Sequence, residues 1–256
     1  MTGTTPPDPR QRREAPADVE RLYDASADRA GYVRRIFGEI AGRYDLMNTI
    51  MTGGRHHAWR TATARALVRP GDRVVDVGCG TGDLSLACAR AGAGTVLGVD
   101  FAAPMLPIAR NKAARRGSSG VGFVQGDGLR LPLEDGSADA WCAAFVMRNV
   151  PDVDGLLAEA HRVLRPGGRL AVLDIPRIEG GLLAPFKRFH LARVVPLLGR
   201  LFGGHSDAYS YLPVSAEHFM SVEELSARLV TSGFEVERVR TFGVGTVALH
   251  VAVRAG

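Results

Sequence analysis

A glycine-rich turn directly after an apolar run is the part of this sequence best suited to bind a ligand. Residues 74–82 read Val-Val-Asp-Val-Gly-Cys-Gly-Thr-Gly, with glycine at Gly78, Gly80 and Gly82. Glycines let the backbone turn sharply and approach a ligand closely, and a helix that follows offers unpaired N–H groups at its start. The turn therefore predicts a strand that ends in a binding loop for a polar ligand.

Two acidic residues follow at intervals that fit the ends of the next two strands. Asp100 closes the apolar run 95–100, and Asp127 is followed by Gly128. A carboxylate at the position of Asp100 can accept both hydrogen bonds of a ribose diol, and Asp127 could receive an adenine amino group. The glycine spacing G-x-G-x-G differs from the G-x-G-x-x-G of dinucleotide sites. We therefore expect an adenosine-containing cofactor of another kind.

Two acidic residues next to the glycines have two interpretations each. Asp76 either binds an ammonium group of the cofactor through water or only orders the glycine loop. Asp83 either belongs to the same site or lies at the start of a helix, where it complements the helix dipole. The sequence leaves both questions open.

The apolar pattern predicts the scaffold that must bring these residues together. Short β-branched runs alternate with helical spacing, which is typical of a parallel sheet with crossover helices. The seven predicted strands are Arg73–Val77, Thr95–Asp100, Val121–Gln125, Ala138–Phe145, Arg169–Ile175, Phe234–Thr241 and Thr246–Arg254. The predicted helices are Asp83–Ala91, Pro104–Arg116, Val153–Leu164 and Val222–Ser232. The link 242–245 is too short for a crossover, so the last two strands must pair antiparallel.

This order predicts an α/β fold, the Rossmann-like fold of class I methyltransferases, with a mostly parallel seven-stranded sheet and a C-terminal antiparallel hairpin. S-adenosylmethionine is then the expected cofactor. We expect residues 1–30 to be a disordered tail, 31–69 a helical cap, and 70–256 the catalytic domain with a substrate-lid insertion at 176–220. The tail lacks the apolar core of a signal peptide, which predicts a cytoplasmic protein.

The net charge and the cysteine pattern restrict the partners and metal sites that we expect. The formal net charge is +5, but the only lysines are Lys112 and Lys187, and the arginines are scattered. We therefore expect no nucleic-acid partner. Cys79, Cys88 and Cys142 are odd in number and lack paired metal spacing, so we expect neither a disulfide nor a metal site.

Motifs outside the glycine turn are more specific. They are Phe37, Tyr44-Asp45-Leu46-Met47-Asn48, Gly54, His56, Trp59-Arg60, Gly80-Thr81-Gly82-Asp83, Leu131-Pro132, Arg148-Asn149-Val150, 162–170 and Tyr209-Ser210-Tyr211-Leu212-Pro213 with Ser215 and Phe219. In these motifs the chain resembles the menaquinone and ubiquinone C-methyltransferase family, over about 33–251. The resemblance implies methylation of a demethylmenaquinol ring, with Thr81, Asp100, Asp127 and Gly128 contacting S-adenosylmethionine.

The chain departs from the family pattern near the expected site. The departures are Val146-Met147 for Gly-Leu, His57 for arginine, Asp174-Ile175-Pro176 for Glu-Phe-Ser, Ala144 for serine and Met220 for proline. These departures affect which acceptor is methylated more than they affect which reaction takes place. The alternatives are therefore a methyltransferase of another phenolic or apolar small molecule, or a non-catalytic protein with the same fold.

Ring methylation requires an acceptor hydroxyl to lose its proton, so the site should stabilise a phenolate-like oxygen. The resemblance implies that Arg148 takes part in this proton removal with water. Arginine stays charged at neutral pH, so we expect an electrostatic clamp that orders a water molecule, with Asn149 aligning the network. The alternative for Arg148 is a surface ion pair.

Four further residues are predicted to bind the quinol: Tyr44, Asn48, His56 and Tyr211. His56 could act as a base, or it could be a hydrogen-bonded residue of the cap. The tyrosines could contact the quinol or belong to the core.

The insertion contains an apolar and basic stretch, 182–202, that we expect to form two short helices separated at Pro196. A basic amphipathic helix can lie in the interface of an anionic bilayer. The stretch therefore predicts a lid that touches the inner face of the membrane. The alternatives are packing over the sheet and a homodimer interface.

Overall fold

The computed structural model describes residues 29–180, 184–189 and 207–256, with Val19, Leu22, Arg193 and Leu197. Its centre is a seven-stranded sheet with strand order β3-β2-β1-β4-β5-β7-β6. The strands are β1 Arg73–Val77, β2 Thr95–Asp100, β3 Val121–Gln125, β4 Ala138–Ala144, β5 Leu164–Asp174, β6 Phe234–Phe242 and β7 Val247–Arg254. All seven predicted strands are confirmed. Only β5 differs much, because residues 164–168 continue the strand instead of ending the preceding helix.

The C-terminal strands pair as the short link requires. β7 runs antiparallel to both β5 and β6, and Leu249 lies opposite Leu173. The neighbouring pairs β1–β2, β1–β4, β2–β3 and β4–β5 are parallel. The carboxyl ends of five parallel strands therefore lie at one edge of the sheet, where α/β proteins bind their ligands.

Helices cover both faces of the sheet. They are α1 Arg29–Ile40, α2 Tyr44–Thr52, α3 Arg55–Leu67, α4 Asp83–Arg90, α5 Met105–Arg115, α6 Val153–Val163, α7 Ala184–Phe189, α8 Asp207–Glu217 and α9 Val222–Thr231. The four predicted crossover and C-terminal helices are confirmed to within two residues at each end. The chain breaks between α2 and α3 at Gly53 and Gly54, which both have positive φ angles. This left-handed backbone suits glycine.

The core has one apolar cluster on each face of the sheet. Trp141 and Leu157 belong to one cluster, and Cys142 and Leu249 belong to the other. Parallel strands buried on both faces have nearly continuous apolar runs, and this explains why the sequence pattern located them so well.

The helices before β1 are tied to the rest of the chain. Tyr32 and Ile36 of α1 pack with Tyr211 of α8 in a buried cluster. At the end of α3, Arg169 of β5 donates to the Leu67 carbonyl oxygen and pairs with Asp72. The division into tail, cap and catalytic domain stays a prediction.

In the described part of the chain, no helix combines the length and apolar character needed to cross a bilayer. Most of the predicted lid stretch 182–202, including its division at Pro196, lies outside the described residues, as does most of 1–30.

Candidate active site

The glycine turn between β1 and α4 depends on the absence of side chains. Gly78 has a φ of 64°, and a Cβ atom there would lie 2.3 Å from Val146 Cγ2. Gly82 has a φ of 84°, and its Cβ would lie 2.9 Å from the ring of Phe123. The turn is held by β2, because the N–H groups of Gly78 and Cys79 both donate to the carbonyl oxygen of Val99. The predicted loop therefore has the sharp, tightly packed geometry that favours glycine.

A cleft opens beside this turn at the carboxyl ends of the strands, and we call it the cofactor cleft. Five of the predicted cofactor residues line it, namely Gly78, Gly80, Asp100, Asp127 and Gly128. Its other walls are mainly apolar and include Val99, Phe101, Met105 and Leu156. The cleft combines acidic groups with apolar walls, which suits the ribose and adenine of a nucleoside.

Asp100 is fixed by backbone donors. Its Oδ2 accepts from the N–H of Gly80 at 2.6 Å, and its Oδ1 accepts from the N–H of Ala102 at 2.8 Å. Burial raises the pKa of Asp100, and these two hydrogen bonds oppose the rise. Each carboxylate oxygen has further lone pairs, so the group can accept ligand hydroxyls without giving up these contacts.

Asp127 is exposed at the end of β3. Its Oδ1 accepts from the N–H of Leu129 at 3.0 Å. The structure therefore brings Asp100 and Asp127 into the same cleft, with the more rigid carboxylate next to the glycine turn.

Asp76 and Thr81 line a small cavity that adjoins the cofactor cleft, and Gly82 packs against Phe123. Asp76 is buried and accepts from Ser85 Oγ at 2.5 Å. Burial raises the pKa of Asp76 to about 7, while the hydrogen bond from Ser85 opposes the rise. This contact favours the interpretation that Asp76 orders the loop, because Ser85 belongs to the first turn of α4.

Thr81 ties the glycine turn to the helices before β1. Its Oγ1 donates to Asp45 Oδ1 at 2.6 Å and accepts from Lys112 Nζ at 2.9 Å. Lys112 also pairs with Asp45 at 2.6 Å and with Asp83 at 2.8 Å. Burial would raise the pKa of Asp83, but Lys112 outweighs it and lowers the pKa. Asp83 therefore lies at a helix start and belongs to an ion cluster.

A second and larger cavity, of about 540 Å³, lies between the helices before β1 and the ends of β4, β5 and β7. We call it the acceptor cavity. The predicted quinol-binding residues Tyr44, Asn48, His56 and Tyr211 all line it, together with Arg148. Its remaining walls are largely apolar and include Phe37, Met47, Met51, Trp59, Ile175, Ile178 and Val247. Such a cavity suits an apolar molecule with a few polar groups.

Arg148 forms an ion pair inside the protein. Its Nη1 lies 2.6 Å from Asp174 Oδ1, and the two side chains are 5% and 2% exposed. The alternative of a surface ion pair is therefore wrong, because β5 ends beside the turn that carries Arg148. Burial alone would lower the pKa of Arg148, but Asp174 outweighs it and the net direction is upward. Among the described residues, the buried Nε of Arg148 has no hydrogen-bond partner.

Phe145 separates the two cavities and was not among the predicted site residues. It lines both and has a φ of 64°, which is strained for a residue other than glycine. Its ring lies 5.1 Å from the guanidinium carbon of Arg60 and 5.9 Å from that of Arg148. Strained backbone tends to occur at functional sites. The only signal in the sequence was the departure from the family pattern at 144–147.

Asn149 lies on the cofactor side of Phe145. Its Nδ2 donates to the Phe145 carbonyl oxygen at 3.1 Å, and it lines the cofactor cleft rather than the acceptor cavity. These contacts hold the turn after β4 in place. That Asn149 aligns a water molecule beside Arg148 stays a prediction.

His56 is hydrogen-bonded on both sides of its ring. Nδ1 lies 2.8 Å from Arg60 Nη1, and Nε2 lies 3.2 Å from Thr49 Oγ1. Since Arg60 can only donate, Nδ1 must accept, and Nε2 carries the proton. Burial lowers the pKa of His56 to about 4, and the charge of Arg60 adds to this effect. The contacts favour the alternative of a hydrogen-bonded cap residue over a base.

Ring and carboxylate atoms of His56, His57 and Asp83 lie within 4.8 Å of one another. Two cations already contact this cluster, because Arg60 binds His56 and Lys112 binds Asp83. A metal ion would compete with both positive charges, so the cluster gives no support to a metal site.

The fold is found in solved methyltransferases. A structure from Thermotoga maritima, described as a SAM-dependent methyltransferase and possible histamine N-methyltransferase, superposes with a TM-score of 0.60. The match covers 86% of this chain and 98% of that one at 22% identity, which shows the fold alone. The prediction of a Rossmann-like methyltransferase fold is confirmed.

Sequence relatives are much closer. A demethylmenaquinone methyltransferase from Thermus thermophilus is 45% identical over 222 residues, which are 86% of this chain and 100% of that protein. A ubiquinone/menaquinone biosynthesis C-methyltransferase from Stenotrophomonas maltophilia is 39% identical over 230 residues, 88% of this chain and 91% of that protein. Both matches run through nearly the whole of the described chain.

A family model supports the same assignment. The model of the ubiE/COQ5 methyltransferase family matches residues 24–254, and this range includes the glycine turn, both cavities and the C-terminal hairpin. The resemblance drawn from the motifs is thereby confirmed. With this match and with relatives of up to 45% identity among those compared, the chain belongs to the ubiE/COQ5 methyltransferase family.

Proposed function

We propose that this chain transfers a methyl group from S-adenosylmethionine to a ring carbon of demethylmenaquinol or a related quinol. The observation that carries the proposal is the meeting of two cavities at Tyr44 and Phe145. One cavity has the acidic groups and glycines expected for a nucleoside, and the other is apolar with a buried arginine. The names of the relatives, demethylmenaquinone methyltransferase among them, point to the same acceptor.

The residues of the cofactor cleft fit S-adenosylmethionine. Asp100 is held rigidly where a ribose diol would lie, and a Cβ at Gly128 would come within 2.6 Å of Val77 Cγ1. Asp100 would hold the ribose, and Asp127 and Gly128 the adenine. When bound, S-adenosylmethionine would supply a methyl group on a sulfonium sulfur, and this sulfur would leave as a neutral thioether. No covalent nucleophile of the protein is needed, so the protein acts by positioning and electrostatics.

Arg148 is the residue we assign to the acceptor. Its guanidinium stays positive beside Asp174, and Arg148 lines the acceptor cavity, so its charge lies next to a bound acceptor. A fixed cation in an apolar cavity stabilises the phenolate form of a ring hydroxyl and lowers its pKa. The ring carbon next to that oxygen then becomes the nucleophile. Asp174 acts as a positioning residue for Arg148.

The direct test is turnover by the purified chain. We expect S-adenosylmethionine and a reduced demethylmenaquinone to give a product one methyl group heavier, with the methyl on carbon by mass spectrometry. Methylation of oxygen, or a higher kcat/KM on an unrelated phenol, would favour the second candidate, a methyltransferase of another small molecule. Cofactor binding without turnover on any acceptor would favour the non-catalytic alternative.

We also propose that the mouth of the acceptor cavity touches a membrane that contains anionic lipids. Phe186 and Val244 both line this cavity, and they are 68% and 65% exposed. The exposed Arg55 lies on the same cavity. A long-tailed quinol dissolves in the bilayer, so an apolar mouth with a cation beside it suits docking at an anionic interface.

Replacing Phe186 and Val244 together with aspartate should weaken sedimentation with anionic vesicles roughly tenfold, because two apolar contacts are lost and two repelled charges are added. Activity on a long-tailed quinol should fall, and activity on a short-tailed analogue should stay. Val230→Asp is the control, since Val230 is 59% exposed on α9 and lies on neither cavity. If the parent does not bind vesicles, or if it forms a dimer that the double variant abolishes, the membrane proposal is wrong.

A further inference from the structure

Arg60 of α3 is a buried cation without a buried counter-charge in contact. The residue is 5% exposed. Its Nη1 donates to His56 Nδ1 at 2.8 Å and, at 3.4 Å, to the His56 carbonyl oxygen. Within the described residues, its guanidinium forms no ion pair with a carboxylate within 4.0 Å. Buried arginines are normally paired, so an unpaired one suggests an anion that comes from outside the chain.

The cavity that Arg60 lines indicates which ligand could supply this anion. Arg60 lines the small cavity that also contains Asp76, Thr81 and Asp83. This cavity shares four residues with the cofactor cleft, namely Tyr44, Gly78, Gly80 and Ala144. The small cavity therefore adjoins the cleft beside the glycine turn, and its volume of about 20 Å³ can admit only the end of a ligand that fills the cleft.

Charged groups of both signs line the small cavity. Arg60 supplies a positive charge, while Asp76 and Asp83 supply carboxyl groups. A zwitterion with a carboxylate and an ammonium group matches this arrangement. The amino-acid end of S-adenosylmethionine carries both groups, and it lies at the opposite end of the molecule from the adenine.

We propose that Arg60 binds the carboxylate of the methionine part of S-adenosylmethionine. This inference rests on the proposed use of that cofactor. Arg60 contacts no acceptor group in this proposal, and its task is to anchor one end of the cofactor so that the sulfonium faces the opening beside Phe145. The planar guanidinium can hold a carboxylate with two parallel hydrogen bonds, which fix orientation as well as affinity.

A purely structural role of Arg60 is the competing explanation. Arg60 supports His56 by a hydrogen bond, and its guanidinium lies over the ring of Phe145. Loss of these contacts could loosen the turn after β4 and weaken every ligand of the cleft. The two explanations differ for ligands that lack the carboxylate, because only the anchor discriminates between ligands with and without it.

Calorimetry on the full chain separates them. S-adenosylhomocysteine carries the amino-acid end, decarboxylated S-adenosylhomocysteine lacks only the carboxylate, and 5′-methylthioadenosine lacks the whole amino-acid part. Arg60→Met should weaken the binding of S-adenosylhomocysteine by roughly ten- to a hundredfold, which is the usual range for losing a charged hydrogen-bond partner. The affinities for the other two ligands should change by less than about threefold. Arg60→Lys should recover part of the affinity for S-adenosylhomocysteine. Arg65→Met is the control, because Arg65 is exposed on the same helix, and it should leave the affinities for all three ligands unchanged.

An equal loss for all three ligands, or no loss for S-adenosylhomocysteine, would overturn the proposal. The parent chain gives a second measurement that needs no variant, because it should prefer S-adenosylhomocysteine over the decarboxylated ligand by at least about tenfold. This preference decides the question if Arg60→Met does not fold. Failure of the parent to bind any of the three would instead contradict the proposed function.

Discussion

Replacement of Asp100 by alanine should abolish detectable cofactor binding in a chain that still folds. The carboxylate holds the glycine turn through the N–H groups of Gly80 and Ala102, at 2.6 and 2.8 Å. It is also the group we assign to the ribose diol. A hydrogen bond to a charged group contributes about 1.5–3 kcal/mol. Loss of the two ribose contacts therefore corresponds to at least about a hundredfold weaker binding.

Calorimetry with S-adenosylmethionine is the measurement, and thermal unfolding checks the fold. Asp127→Ala is the comparison. Asp127 lies in the same cleft but is exposed, so its replacement should reduce cofactor affinity less than that of Asp100. Asp100→Asn should fall between the parent and the alanine variant, since the amide keeps one acceptor oxygen. Unchanged affinity in a folded Asp100→Ala protein would exclude Asp100 from the cofactor site.

Replacement of Arg148 by glutamine should lower turnover by about a hundredfold or more while cofactor affinity stays close to that of the parent. The expected loss follows from removing a fixed charge that stabilises the developing phenolate. The variant should also be less stable, by about 3–5 kcal/mol, because Asp174 would be left as a buried charge without its partner. Asp174 is 2% exposed, so water cannot replace the guanidinium.

A second substitution separates catalysis from stability. Arg148→Gln with Asp174→Asn removes both charges of the buried pair, so we expect most of the lost stability to return while turnover stays low. Single-turnover rates, urea unfolding and calorimetry would be measured on both variants. Recovery of turnover in the double variant, or equal losses in cofactor affinity and turnover in the single one, would make Arg148 a structural residue.

The sheet could be predicted almost completely because its information is local. The central parallel strands β1, β4 and β5 are largely buried on both faces, so they form nearly continuous apolar runs, and glycine follows β1 and β3. The antiparallel hairpin followed from the length of one link, which excludes a crossover. The same local logic located the residues that line the cofactor cleft, Gly78, Gly80, Asp100, Asp127 and Gly128, since each ends a strand or lies within three residues after one.

The acceptor side depends on contacts between distant parts of the chain. Arg148 and Asp174 are 26 residues apart, and Thr81 and Asp45 are 36 apart. The family resemblance and the predicted strand ends identified Arg148 and Thr81 without their partners, because such sequence patterns do not report on contacts between distant parts of the chain. The partners were decided by how β4 and β5 end side by side and by how α2 lies over the glycine turn.

The sequence by itself determined the order of strands and helices along the chain, the residues at the strand ends that line the cofactor cleft and, through its motifs, the family. Only the tertiary structure decided that Arg148 is half of a buried ion pair and that Phe145 takes a left-handed backbone between the two cavities. It also decided that Arg60 lies beside the glycine turn with no carboxylate of the described residues in an ion pair with it. The physical reason is that burial and pairing of a charge depend on every element packed around it. Local sequence patterns contain only the element to which the charge belongs.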